Sequence, residues 1–182
     1  TLWQPWASLM AWDEKRYETR DWSTRERGWI AIVASKGFPK DCRELCHDLP
    51  FAEVLRTHGA TVVGTRTATA PTSLPLCAVV ALVEIVDVIA TNPESMERRL
   101  SRRPAVEPAR HEQDFGNYGP NRFAFITRGV RPLARPVPVE RVEGRIVKPG
   151  GALGFYTLSP ACEAAVLAVL AELADQPRRT KP

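Results

Sequence analysis

The sequence predicts an α+β fold: a small β-barrel decorated by an N-terminal helix, middle helices and a C-terminal helix. Three observations carry that reading. Segments rich in β-branched and aromatic residues recur at Trp29 to Ala34, Leu76 to Ala90 and Phe123 to Ile126, which is the composition of strands burying at least one face. Sixteen prolines and eleven glycines break the chain too often for a helical bundle. Helical patterns fall at the start, middle and end instead of between successive strands, which favours a decorated barrel over a βαβ layer.

Leu2-Trp3 reads as a short first strand, and Pro5 suits the opening turn of a helix running to about Lys15. Trp6, Leu9 and Met10 give that helix an apolar face, and Lys15 and Arg16 are placed to complement its C-terminal dipole. Tyr17 to Trp22 reads as a strand with Glu18, Arg20 and Trp22 on one side and Tyr17, Thr19 and Asp21 on the other. Ser23 to Gly28 is expected to be a hairpin connection into an internal strand, Trp29 to Ala34. Pro39 to His58 predicts two short helices, the first ending near Leu49 ahead of Pro50.

Residues 59–75 read as a strand fragment and a flexible loop. Leu76 to Ala90 is the strongest strand, interrupted by Glu84 and Asp87. Glu84 is either a solvent-facing edge position or a paired carboxylate lining a cleft with Lys15 and Arg20. Asn92-Pro93-Glu94 starts a helix, Phe115 to Arg122 is turn-rich, and prolines 132, 136 and 138 confine Arg128 to Val139 to an edge or irregular strand. Gly154 to Leu158 predicts a last short strand, and Ser159-Pro160 caps a closing helix whose Val166, Val169, Leu170 and Leu173 form one face. Residues 1–158 thus form the main domain, 159–176 a helix packed on it and 177–182 a mobile tail.

Net charge is +4, but it is unevenly placed. Residues 98–148 hold twelve Lys/Arg against five Asp/Glu, whereas residues 1–97 hold ten against thirteen. The local excess fits a phosphate-bearing partner or a solvated basic surface. Cys42, Cys46, Cys77 and Cys162 are too scattered for a disulfide framework, so free thiols and a cytoplasmic location are expected. Cys42-x3-Cys46-His47 lacks a second ligand pair and reads as packing; no metal or cofactor is predicted. His58 and His111 stand singly in loops and read as solvated. The apolar run Leu76 to Val83 is too short to span a bilayer, and no membrane contact or stable protein partner is inferred.

The densest chemistry lies in Leu2-Trp3-Gln4-Pro5-Trp6-Ala7-Ser8-Leu9, followed by Lys15, Glu18-Thr19-Arg20, Trp22 and Arg27-Gly28. This block resembles the N-terminal signature of the ASCH domain. Leu74-Pro75-Leu76, Glu84, Phe115-Gly116-Asn117-Tyr118, Arg122-Phe123-Ala124-Phe125 and Pro132-Leu133 are similar to later pieces of the family in the same order. The resemblance implies a PUA-like pseudo-barrel that binds RNA or another single-stranded nucleic acid, or a modified nucleotide, in a cleft beside the N-terminal helix. Lys15, Glu18 and Arg20 would touch the ligand, and Trp3, Gln4, Trp6 and Ser8 would form or support the wall. Arg98, Arg99, Arg102, Arg103 and Arg122 would hold the nucleic-acid backbone.

One branch of the family resembles small amidohydrolases on N4-acylated cytidines, with a Lys-x-x-Thr motif; here the pattern is Lys15-x-x-Glu18, with no hydroxyl for a nucleophile. Binding is therefore the leading expectation. A hydrolase on a modified nucleoside or RNA, with Lys15 and Glu18 as acid and base, is the alternative, and a protein-interaction module the third reading.

Overall fold

The computed structural model describes residues 1–61, 73–94, 106–139, 155 and 157–174. Its centre is a four-stranded antiparallel sheet built from β1 (Tyr17–Arg20), β2 (Gly28–Ala34), β3 (Ala78–Ala90) and β4 (Phe123–Pro138), in the order β1-β4-β3-β2. Four helices accompany it among the described residues: α1 (Trp6–Ala11), α2 (Lys40–Leu45), α3 (Phe51–Thr57) and α4 (Pro160–Ala174). The α+β class stands, but the described strands do not close into a barrel. β1 pairs with β4 and β2 with β3, so these two lie at opposite edges.

That order corrects two expectations. Residues 21–27 do not close a hairpin, because β1 and β2 are not partners. β2 is an edge strand, with only a parallel bridge from Leu2 to Ala34 on its outer side among the described residues, and Trp29 is exposed. The apolar composition of β2 comes instead from two covered faces. Ile32 and Ala34 pack with Ala7, Met10 and Ala11 of α1, whereas Val33 packs with Val166 and Val169 of α4. The sheet is thus held between helices, and alternate residues of the same strands serve each side.

α1 is shorter than its sequence pattern implies. Five of its six residues, Ala7 to Ala11, are buried, so it is a core helix, not an amphipathic surface one. Asp13 takes φ 63°, a left-handed conformation that a short polar side chain tolerates, and the backbone N–H groups of Glu14 and Lys15 turn back to the Leu9 carbonyl. Lys15 and Arg16 therefore lie beyond the helix and do not serve its dipole. The first middle helix likewise stops at Leu45, short of the expected Leu49.

β4 runs unbroken for sixteen residues, although it contains Pro132, Pro136 and Pro138. Its pairing explains the tolerance. β1 covers β4 only over Phe123 to Ile126, leaving the proline-bearing half paired, among the described residues, to β3 alone, through three register shifts. At one irregular point Gly129 has φ 64°, and a Cβ there would lie 3.1 Å from the Trp29 ring. Any side chain at 129 meets both backbone strain and that indole.

The closing helix starts as expected, with the Ser159 hydroxyl accepting from the Cys162 N–H at 3.2 Å. Phe155, Thr157 and Leu158 are not in a strand. The expected loop over 62–72, the arginines at 98, 99, 102 and 103, and the tail over 177–182 lie outside the described residues. No helix among the described residues is long and apolar enough to cross a membrane.

Candidate functional site

β1 aims its side chains as the alternation requires: Tyr17 and Thr19 are buried, while Glu18 and Arg20 stay partly exposed on the other face. Beside them two cavities adjoin. One, of about 280 Å³, has apolar walls of Trp6, Leu45, Phe51 and Phe115 and a polar rim of Glu18, Asp114, Asn117 and Arg122. The other, of about 200 Å³, is lined by Leu2, Trp3, Trp6, Glu18 and Arg20. Trp6 and Glu18 line both and form the ridge between them.

The ridge is fixed. The Trp6 indole N–H donates to the Phe115 carbonyl at 2.8 Å, and its ring stands edge-on to Phe51 at 6.0 Å. Glu18 lies 3.1 Å from the Arg20 Nε and 3.8 Å from the Lys15 Nζ. Two arginines border the cleft, each clamped by polar contacts. Arg20 also donates to the Thr1 carbonyl at 3.0 Å, and Arg122 donates to the Asn117 and Thr19 carbonyls at 3.1 and 3.3 Å.

Of the residues expected to touch a ligand, Glu18 and Arg20 line the cleft, as do Trp3 and Trp6 of the expected wall and Arg122, which was expected to hold the nucleic-acid backbone. Gln4 and Ser8 are buried; Gln4 donates to the Pro75 carbonyl at 2.7 Å and accepts from the Ser8 N–H at 3.2 Å, which places both behind the wall. Lys15 is 1% exposed beneath Glu18 and lines neither cavity. Its ammonium donates to the Tyr17 carbonyl and lies 3.7 Å from Glu112. Burial pulls the Lys15 pKa below 10.5, and the neighbouring Glu18 and Glu112 carboxylates partly offset that pull. Glu84 pairs with Arg128 at 2.8 Å and so takes neither Lys15 nor Arg20 as its partner.

Glu112 is the residue that sequence reasoning missed. Only 3% exposed, its carboxylate accepts from the backbone N–H groups of Arg16 at 2.8 Å, Tyr17 at 2.9 Å and Ala109 at 3.2 Å. It ties the start of β1 to the 106–122 loop. Thr19 adds a second tie, its hydroxyl accepting from the Asn117 N–H at 3.0 Å. A lone glutamate in a charged stretch carries no pattern that announces such a role. The Phe115-Gly116-Asn117-Tyr118 block did, as a turn-rich loop, but without indicating that Phe115 and Asn117 line the cleft.

His58 is not simply solvated: it stacks on Trp12 at 4.4 Å and pairs with Glu14 at 2.9 Å, while His111 lies 3.4 Å from Asp114. The four cysteines are free thiols, and burial pushes Cys46 up to about 12, so it stays protonated at neutral pH. Among the described residues no group of three or more His, Cys, Asp or Glu could hold a metal ion.

The tyrosines behind β1 give a pH signature. Burial pushes Tyr17 up to about 12 and raises Tyr118 further, with Glu112 adding in both cases. A raised folded-state pKa means that their contribution is complete below the ordinary value of 10.0 and is lost as pH climbs toward the folded values. Lys15 works oppositely: the cost of burying its charge is full below its lowered pKa and fades as pH approaches 10.5. Unfolding midpoints measured from neutral to strongly alkaline pH should fall steeply above about pH 10. Tyr118→Phe should flatten that fall.

No family model matches the chain. A stretch of 44 residues is 50% identical to Activating signal cointegrator 1 of Homo sapiens. The likeness is partial. It takes in 23% of this chain and 8% of that protein, so the chain spans a small fraction of the relative's length.

Proposed function

We propose that the chain is a PUA-like ASCH domain that binds single-stranded nucleic acid, RNA in the first place, by lodging one base in the cleft beside α1. The observation that carries this reading is the pair of adjoining cavities sharing Trp6 and Glu18, with an arginine at each flank. Aromatic walls offer a base a stacking or edge contact, and clamped guanidinium and carboxylate groups offer it polar partners at low entropic cost. Activating signal cointegrator 1 contains an ASCH domain, and the partial likeness to it lends the family assignment limited support.

Charge divides the labour. Lining the cleft, Arg20 and Arg122 are offset by Glu18 and Asp114, and behind it the buried Lys15 is offset by Glu112. A balanced cleft suits a neutral base better than a phosphate, so the backbone falls to the arginine-rich stretch with Arg98, Arg99, Arg102 and Arg103. Titration of a fluorescent single-stranded RNA over a range of salt concentrations tests this. Affinity should fall linearly on logarithmic axes, and replacing Arg98 and Arg102 by Gln should weaken binding and make the slope shallower by about one to two. Binding that ignores salt, or no binding, would overturn the reading.

One observation favours a second reading, hydrolysis of a modified nucleoside or RNA: the buried Lys15, its pKa lowered by burial, lies 3.8 Å from a cleft carboxylate, Glu18. It requires turnover that disappears in Glu18→Gln while binding survives.

A further inference from the structure

The polar rim of the larger cavity brings Arg122 and Asn117 together with Glu18 and Asp114. Arg122 spends its Nε on the Asn117 carbonyl and one terminal nitrogen on the Thr19 carbonyl. Its other terminal nitrogen, Nη1, makes no bond among the described residues and keeps two N–H donors for the cavity that Arg122 lines. On the same rim Glu18 presents a carboxylate, paired with Arg20 at 3.1 Å on its own face of β1 and with the buried Lys15 at 3.8 Å. A carboxylate accepts at about four lone-pair positions, so this anchoring leaves both oxygens able to accept more. Both residues line the same cavity, and Arg122 is bonded to the carbonyl of Thr19, the residue after Glu18. A ligand edge that spans the two meets a donor at Arg122 and two acceptors at Glu18.

We infer that this cavity selects a guanine-type edge: a carbonyl accepting from Arg122, with a ring N–H and an exocyclic amine side by side donating to the two oxygens of Glu18. The inference rests on the reading that single-stranded nucleic acid enters this cleft, and it names the base. Uracil offers one N–H flanked by two carbonyls, so a carbonyl oxygen would face a carboxylate oxygen. Adenine and cytosine have an amine but no adjacent ring N–H to satisfy the second oxygen. A buried polar group left unpaired by the wrong base is what turns such a pattern into discrimination. The aromatic walls of Trp6, Phe51 and Phe115 accept any base face and add affinity without choosing among bases.

The test uses five pentanucleotides, identical uridine pentamers except for a central guanosine, inosine, adenosine, cytidine or uridine, each titrated at one fixed ionic strength. Their phosphates are the same, so the electrostatic contribution cancels and only the central base differs. The guanosine strand should bind roughly tenfold to a hundredfold more tightly than the uridine strand, the range expected for one good bidentate pair. Inosine, which lacks only the exocyclic amine, should lose a substantial part of that advantage. Glu18→Gln replaces one acceptor by a donor and should remove the preference, and the inosine comparison keeps the test valid even if that variant folds poorly. Equal affinity for guanosine and uridine strands, or for guanosine and inosine, with binding still lost in Trp6→Ala, overturns the inference and leaves the binding reading intact. Failure of every strand to bind overturns both.

Discussion

Glu112→Ala is expected to lower folding stability by about 3–5 kcal/mol, the range for breaking a buried charged network by removing one partner. Three backbone N–H groups, of Arg16, Tyr17 and Ala109, lose their acceptor together, at positions where no strand partner replaces it. Lys15 also loses one of its two carboxylates while remaining 1% exposed. Urea unfolding should show the midpoint moving down with an unchanged slope. A loss under about 1 kcal/mol would mean that the 106–122 loop is anchored to β1 by something else. Pairing the change with Lys15→Met sharpens the result. The two residues share one network, so the double variant should lose measurably less than the sum of the single losses. Additive losses would show that Lys15 answers to Glu18 alone.

The same network explains what could and could not be read from the sequence. Alternation placed Glu18 and Arg20 on one face of β1 and Tyr17 and Thr19 on the other, because a strand has a period of two whatever surrounds it. The Ser159 cap and the two short middle helices were legible for a similar reason: capping and proline chemistry act within a few residues. Strand partnership was not. Whether Tyr17 to Arg20 pairs with the next strand or with one more than a hundred residues later is decided by the long β4, which accepts β1 at one end and β3 along its length. The missed hairpin, the edge placement of β2 and the open sheet all follow from that one choice. The role of Lys15 was lost in the same way. Its charge looked available in sequence, and only the turn at Asp13 and the distant Glu112 put it under Glu18 instead of in the cleft.

Trp3 and Trp6 allow the cleft to be tested from its aromatic side, with effects that separate binding from folding. Trp3 is 54% exposed and lines only the smaller cavity, so Trp3→Ala should leave stability within about 0.5 kcal/mol of the parent chain. Its affinity for single-stranded RNA should fall by about 1–3 kcal/mol if a base or sugar rests against the indole. Trp6 borders both cavities, bonds Phe115 and packs edge-on to Phe51, so Trp6→Ala should lose more affinity than Trp3→Ala and some stability too. Trp6→Phe keeps a ring but leaves the Phe115 carbonyl without its donor, and should cost about 1 kcal/mol in stability with an intermediate affinity. Titration of one RNA strand against the three variants, alongside their thermal unfolding, gives the ordering directly. If Trp3→Ala binds as tightly as the parent chain while Trp6→Ala does not, the ligand occupies the larger cavity alone. If neither change weakens binding, the nucleic acid lies on another face and the cleft loses its assigned role.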